Sequence, residues 1–270
     1  MSYTNCIRAE AGLVRVMSSN TLAWPPGKSS LIPTPDRARA LCAHYIAYQP
    51  DLLGLQEVQA DTMEIITEAL SELYAPVPVD TEGRANYTPL FYKKDAFTLL
   101  DSRFVSFFPN DPGSLWDYEW ALYERKSDGR RMIHMNLHYH FSTSEERARE
   151  ARLVNAEIRR LLSLYPDAPI FVTGDYNSET FTPEFAAMIE DLPVNSGMLL
   201  CEDNDGYEVG WHHPDTGNYD GAGAIDHVSV SYERARVVRH RRLRSELLRY
   251  TTDHDPIFVD VDLDPLTKEG

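Results

Sequence analysis

The chain has 270 residues, 43% hydrophobic and 25% charged, with a formal net charge of -16. That composition is globular and supplies enough apolar material for a sizeable core, while its acidity disfavours tight, non-specific binding of long polyanions unless a basic patch or bound cations intervene. No window approaches the roughly 18 consecutive apolar residues of a membrane span, and "MSYTNCIRAEAGLVRV" at the start has no signal-peptide stretch, so a soluble, cytoplasmic protein is expected.

In chain order, "LVRVMSS" (13–19) alternates Val14 and Val16 with polar residues and reads as a strand ending at Asn20. "TPDRARALCAHYIAYQP" (34–50) carries Ala38, Leu41, Cys42, Tyr45 and Ile46 at helical spacing and stops before Pro50. The short apolar run "DLLGLQEV" follows as a strand. Asp61 and Glu64 resemble a capping box for a helix with Met63, Ile66, Leu70 and Leu73 on one face. "TPLFYKKDAFTLL" reads as two short strands around Lys93, Lys94 and Asp95.

"WALYERKSDGRRMIHMNLHYH" reads as a hairpin turning at Asp128-Gly129. On its second strand Ile133, Met135 and Leu137 share one face, and His134, Asn136 and His138 the other. Ser142 to Ser144 with Glu145-Glu146 open a helix whose apolar face includes Val154, Ile158, Leu161 and Leu162. That helix leads into the strand "PIFVTGD", and Thr182-Pro183 open a short helix through Ile189. Strands at "AIDHVSVS" and "PIFVDVDL" complete the pattern. No repeat or long linker appears, so a single domain over residues 1–270 is expected, with mixed rather than purely parallel sheets. Cys6, Cys42 and Cys201 are far apart and form no CxxC pair, which indicates neither a disulfide framework nor a thiolate metal site and fits a reducing compartment.

Several apolar strands end in a polar residue: Asn20, Glu57, His138, Asp175, Asp226 and the pair Asp253-His254. Singly, each is a turn former or a satisfied strand-end residue. Together they describe a shared cleft, because carboxylates buried near one another cost several kcal/mol each unless cations or hydrogen bonds compensate. Asp, Glu and Asn oxygens suit a hard cation such as Mg2+, and histidines beside them suit a phosphoryl group. Such a set can hydrolyse a phosphate ester, with an Asp taking the proton from an attacking water.

The ordered set Asn20 in "MSSN", Glu57 in "LQEV", Tyr92 in "LFYKKD", His138 in "NLH", Asp175 and Asn177 in "GDYN", Asp226 in "IDHV" and Asp253-His254 in "TDHDPI" resembles the endonuclease/exonuclease/phosphatase superfamily over residues 14 to 262. The resemblance implies an α/β (α+β) fold, a four-layer α/β/β/α sandwich with two mixed β-sheets and an active site at the strand ends. It implies Glu57 as principal metal ligand for Mg2+, with Mn2+ as substitute, Asn20 beside it and Asp253 completing the site. His254, oriented by Asp226, is expected to contact phosphate, Asp175 to align or activate the water, and Asn177, Tyr92 and His138 to hold the phosphate. The Arg that the family often carries before "NxH" is absent, since there is no Arg between Arg103 and Arg125, and Trp116 or Asp117 stands near its place.

The expected function is a metal-dependent hydrolase of phosphodiester bonds, a nuclease or nucleotide phosphodiesterase, acting as a monomer with no protein partner on a nucleic-acid or nucleotide substrate. The alternatives are a phosphatase or sphingomyelinase-like phospholipid phosphodiesterase of the same superfamily, and an inactive binding protein on the same fold. Three stretches stay open. "FFPNDPGSLWDYEW" reads as a cleft wall or a loop anchor, and "ERARVVRHRRLRSELLRY" (233–250) as a phosphate-backbone patch or a solvated face packed through Val237, Val238, Leu243 and Leu247. "CEDNDGYE" (201–208) reads as a solvated acidic loop rather than a calcium loop, and His138 to His140 with His212-His213 lack a zinc-hydrolase spacing.

Overall fold

The computed structural model describes residues 9–23, 34–111, 113–201, 203–204 and 223–263, with backbone only at 249. His212-His213 and most of the acidic stretch 201–208 lie outside the described residues. The elements run β1 (Val14–Asn20), α1 (Thr34–Tyr48), β2 (Leu52–Gln56), α2 (Ala60–Leu70), β3 (Tyr74–Pro76), β4 (Leu90–Lys93), β5 (Phe97–Ser106), β6 (Asp117–Arg125) and β7 (Arg131–His138). They continue with α3 (Ser144–Leu164), β8 (Ile170–Asp175), α4 (Pro183–Ile189), β9 (Val194–Ser196), α5 (Gly197–Leu200), β10 (Asp226–Ser231), β11 (Arg236–Arg242) and β12 (Ile257–Asp262).

Two six-stranded mixed sheets result, one ordered β11-β12-β1-β2-β4-β3 and the other β5-β6-β7-β8-β10-β9. Among the described strands β1 with β2 and β7 with β8 pair in parallel, each couple being joined by a helix, α1 or α3, as parallel neighbours require. Met17, Leu53, Leu55, Phe91 and Phe258 turn outward from the first sheet to pack with Leu41, Tyr45 and Ile66 of α1 and α2. Ile133, Met135, Leu137, Ile170 and Val172 turn outward from the second onto Val154, Ile158 and Leu161 of α3 and Phe185 of α4. The period-2 faces expected for β7 are therefore real, and the architecture is the four-layer α/β/β/α sandwich.

The layer between the sheets changes character along the strands. At one end it is apolar, with Val14, Val16, Leu52, Phe97, Phe171, Val228 and Val230 in contact. At the other end the same inward faces carry Ser18, Asn20, Gln56, His134, Asn136, His138, Thr173, Asp175 and Asp226, all buried. Asn136 pins the sheets together there: its Nδ2 donates to the Leu55 carbonyl (2.7 Å) and its Oδ1 accepts from Gln56 Nε2 (2.6 Å) and Thr173 Oγ1 (2.9 Å). Opposite it, Gly54 has no side chain because a Cβ would collide with Thr173 Oγ1 and lie 2.6 Å from Asn136 Oδ1.

Several local expectations shift. The Asp61–Glu64 capping box does not form: α2 begins at Ala60 with Gln59 as its cap, and Asp61 sits in the first turn accepting from the Thr62 N–H. Thr143 and Thr182 do cap α3 and α4, accepting from the N–H groups of Glu146 and Phe185. The hairpin turns at Gly129 (φ +74°), but β6 starts at Asp117, so "DYEW" is strand rather than loop. The arginine-rich stretch forms edge strand β11, and its cations meet acids: Arg236 with Asp262, Arg239 with Asp260, Asp203 and Glu10, Arg241 with Asp203, and Arg242 with Asp255. Its charge is largely answered within the protein, which favours the packed-face reading. No helix among the described residues is long and apolar enough to cross a membrane.

Candidate active site

The polar end of the interlayer gathers side chains from both sheets. Asn20 closes β1 and is buried, its Nδ2 donating to Glu57 Oε1 (3.0 Å) and Asp175 Oδ2 (3.0 Å). Its Oδ1 accepts from the Leu22 N–H (2.9 Å), which fixes the amide with nitrogen toward the acids. Asn20 thus bridges two carboxylates through its amide nitrogen, while its oxygen receives one backbone N–H. Glu57 follows β2 at φ +60°, with Oε2 accepting from the Ala23 N–H (2.9 Å). Leu22 (φ +57°) and Asn177 (φ +46°) are also left-handed, so three such non-glycine residues flank the cluster, as strained backbone does at functional sites.

Asp175, the last residue of β8, is the junction. Its Oδ1 accepts from the Asn177 N–H (2.9 Å), and its Oδ2 lies 3.5 Å from His138 Nε2 and 3.8 Å from His254 Nε2. Asn177 Nδ2 donates to the Tyr139 carbonyl (2.8 Å) and stands 3.2 Å from His138 Nε2. His254 Nδ1 meets Asp226 Oδ2 at 2.7 Å, which turns its Nε2 toward Asp175 and, at 3.9 Å, Asp253. Burial pulls the His254 pKa down, but Asp226, Asp175 and Asp253 outweigh it and hold the ring well above its usual value. Burial pushes Asp226 up, with His254 pulling the other way. The pair therefore retains a proton at neutral pH, with His254 offering an N–H to the cleft.

Two sets of ligand atoms lie within 4.8 Å of one another: Glu57, His138 and Asp175, and Asp175, Asp226 and His254. The carboxylate oxygens of Glu57 and Asp175 fit a hard divalent cation. Among the described residues the carboxylates of Glu57, Asp175, Asp226 and Asp253 gather around His254 and Arg37, and so many acids together also favour a cation. Asp253 sits beyond His254 rather than within the Glu57 set.

Tyr92 is not brought here. Its strand β4 runs antiparallel to β2 with Tyr92 opposite Leu52, at the far end from Glu57, and its ring packs on Tyr123 (5.2 Å). Continuing that register places Tyr87 opposite Glu57: its carbonyl accepts from the Val58 N–H, and its buried ring stacks on His138 (6.0 Å, 7°). Burial, reinforced by the charges of Glu57 and Asp117, keeps the Tyr87 hydroxyl protonated.

Arg37 was also missed. From α1 its Nη1 donates to the Thr251 carbonyl and its Nη2 to the Leu22 carbonyl (both 2.9 Å), bracing the segments that follow Asn20 and precede Asp253. Thr252 Oγ1 adds a bond to the Asn20 carbonyl (2.8 Å). The signal was an arginine at helical spacing from Leu41 and Tyr45, on the buried stripe of α1.

The profile of the Endonuclease/Exonuclease/phosphatase family matches residues 27–254, and the chain belongs to that family. It is similar to the Probable RNA exonuclease C9B6.11c of Schizosaccharomyces pombe, 25% identical over 192 residues that cover 65% of this chain and 38% of that protein. The chain thus spans well under half the length of this curated relative. Among solved structures, the endonuclease/exonuclease/phosphatase from Bacteroides vulgatus superposes with a TM-score of 0.80 at 22% identity, covering 93% of this chain and 99% of the other. TDP2 of D. rerio, complexed with single strand DNA product, superposes with a TM-score of 0.74 at 18% identity, covering 92% and 98%.

Proposed function

We propose that this protein is a divalent-cation-dependent phosphodiesterase, using Mg2+ with Mn2+ as substitute, that cleaves a nucleotide-containing substrate. The observation that carries this is Asp175, which joins Asn20 and Glu57 of the first sheet to the His254–Asp226 pair. Family membership and the RNA exonuclease among the relatives support a nucleic acid or nucleotide. The charge of -16 favours recognition of a short segment over that of a long duplex.

In this reading Glu57 would hold the cation, leaving Asp175 for the water. When bound, the cation polarises a phosphoryl oxygen and neutralises the leaving oxyanion. His254, kept protonated by Asp226, donates from Nε2 to a non-bridging oxygen as charge builds in the transition state. His138 is positioned between Asn177, Tyr87 and Trp116 against the same phosphate. Asp175, steadied by Asn20 and the Asn177 N–H, aligns the attacking water and accepts its proton. Water attacks in line, with no covalent enzyme intermediate. Cys42 and Cys201 are free thiols and buried, which supports a reducing setting, and the shared interlayer supports a single domain.

The test is hydrolysis of single-stranded DNA, RNA, bis(p-nitrophenyl) phosphate and a phosphomonoester with Mg2+, Mn2+ or EDTA. Diester cleavage that disappears in EDTA is expected. Activity confined to the monoester would make the protein a phosphatase instead.

A further inference from the structure

Beside the cluster, the segment before β6 sets Trp116 edge-on against His138, with ring centroids 4.8 Å apart at 78°. The same indole lies 4.6 Å from His140 and 5.8 Å from Phe141. Phe141 stacks on His140 (5.1 Å, 15°) and is 67% exposed. Trp116 also forms one wall of a cavity of about 270 Å³. Phe108, Leu115 and Trp116 make its apolar side, and His140, Asp111 and Glu146 its polar side.

Resting on the phosphodiesterase reading, we infer that this cavity is a nucleobase subsite, in which the base attached to the phosphate at His138 stacks on Trp116 and is selected for an exocyclic amine. Three observations carry it. The indole touches the residue that holds the phosphate and lines the cavity, so the cavity lies one ring away from the reacting group. Its walls hold the two carboxylates Asp111 and Glu146, which accept hydrogen bonds, while Arg84 and Arg149 stand behind them on the Asp111 carbonyl and the Phe108 ring. Glu146 Oε2 is fixed by the Ser142 hydroxyl (2.9 Å), and the Ser142 N–H donates to His140 Nδ1 (3.0 Å), so both polar side chains are held in place before a ligand arrives. Adenine, cytosine and guanine present an exocyclic amino group to these acceptors, whereas uracil and thymine have none and offer a single N3–H between two carbonyl oxygens. Stacking on an aromatic face supplies affinity for any base, and the acids supply the choice.

The test compares kcat/KM with Mg2+ on short single-stranded oligo(A), oligo(C) and oligo(U), in ribo and deoxy form with thymine for uracil, and on the same backbone with the bases removed. The expected result is A and C ahead of U or T by about tenfold, and all ahead of the abasic strand. Trp116→Ala should lower the ratio of base-bearing to abasic turnover by about tenfold, chiefly through KM. Glu146→Gln should narrow the A-to-U gap while keeping the preference for bases. An unchanged ratio in Trp116→Ala, or equal loss on base-bearing and abasic strands, would overturn the subsite, since the indole would then only support His138. Cleavage of bis(p-nitrophenyl) phosphate without cleavage of any oligonucleotide would overturn it and leave the phosphodiesterase reading standing. Failure on every diester would remove both.

Discussion

The two ends of the interlayer are built from the same strands and do opposite work. β8 carries Phe171 into an apolar contact layer at its start and Asp175 into the cluster at its end; β1 runs from Val16 to Asn20, and β2 from Leu52 to Gln56 and Glu57. The inward face keeps its period of two throughout, while the chemistry of the residue on it changes. Between the two ends, Gly54, Asn136, Thr173 and Gln56 form a tight polar belt that fixes the spacing of the sheets. The difference teaches that burial at one end stabilises the geometry, and that the other end can carry unneutralised acids because the first holds them in place.

Breaking the apolar end should have the largest effect. Phe171→Ala removes a fully buried ring and is expected to cost about 3–5 kcal/mol in denaturant unfolding, with kcat of the folded protein within a few-fold of the original. Breaking the other end should reverse the pattern. His254→Ala is expected to lower kcat by roughly a hundredfold or more, measured beside an unchanged far-UV circular dichroism spectrum. Straining the belt affects both: Gly54→Ala should cost about 1–3 kcal/mol of stability and also lower kcat, because the new methyl drives Asn136 and Thr173 apart.

The smallest effect sharpens the comparison through pH. Burial raises the Asp117 carboxyl from 3.8 to about 7, against the bond it accepts from Thr88. Between about pH 4 and pH 7 the folded chain therefore holds a proton that the unfolded chain has released. Stability contributed at this position accordingly falls as pH rises across that window. Asp117→Asn, measured by unfolding at pH 5 and pH 7.5, should be less pH-dependent than the original protein; an identical slope would show that Asp117 ionises at its ordinary value.

Much of this was readable in the sequence because a polar residue terminating an apolar run is a local signal. Asn20, Glu57, His138, Asp175 and Asp226 all appear at strand ends, and His254 precedes β12. What escaped depended on register or on three-dimensional neighbours. Tyr92 looked suitable beside "LFYKK", but only the antiparallel pairing of β4 with β2 reveals that Tyr87 reaches Glu57. The arginines of β11 left a phosphate patch and a packed face both open until pairing with β12 set Arg239 on Asp260 and Arg236 on Asp262. Which atom of Asn20 faces the acids is likewise set only by its neighbours, the Leu22 N–H on its oxygen and Glu57 and Asp175 on its nitrogen.

The central claim is that Asp175 links the acid that holds a cation to the water it activates. The most direct measurement is turnover of bis(p-nitrophenyl) phosphate across a Mg2+ titration, for the original protein and for Asp175→Asn. The account predicts no turnover in EDTA, saturable activation by Mg2+, and in the variant a rate roughly a hundredfold lower even at saturating metal. Turnover undiminished by EDTA, or an Asp175→Asn protein that matches the original at saturating Mg2+, would contradict it.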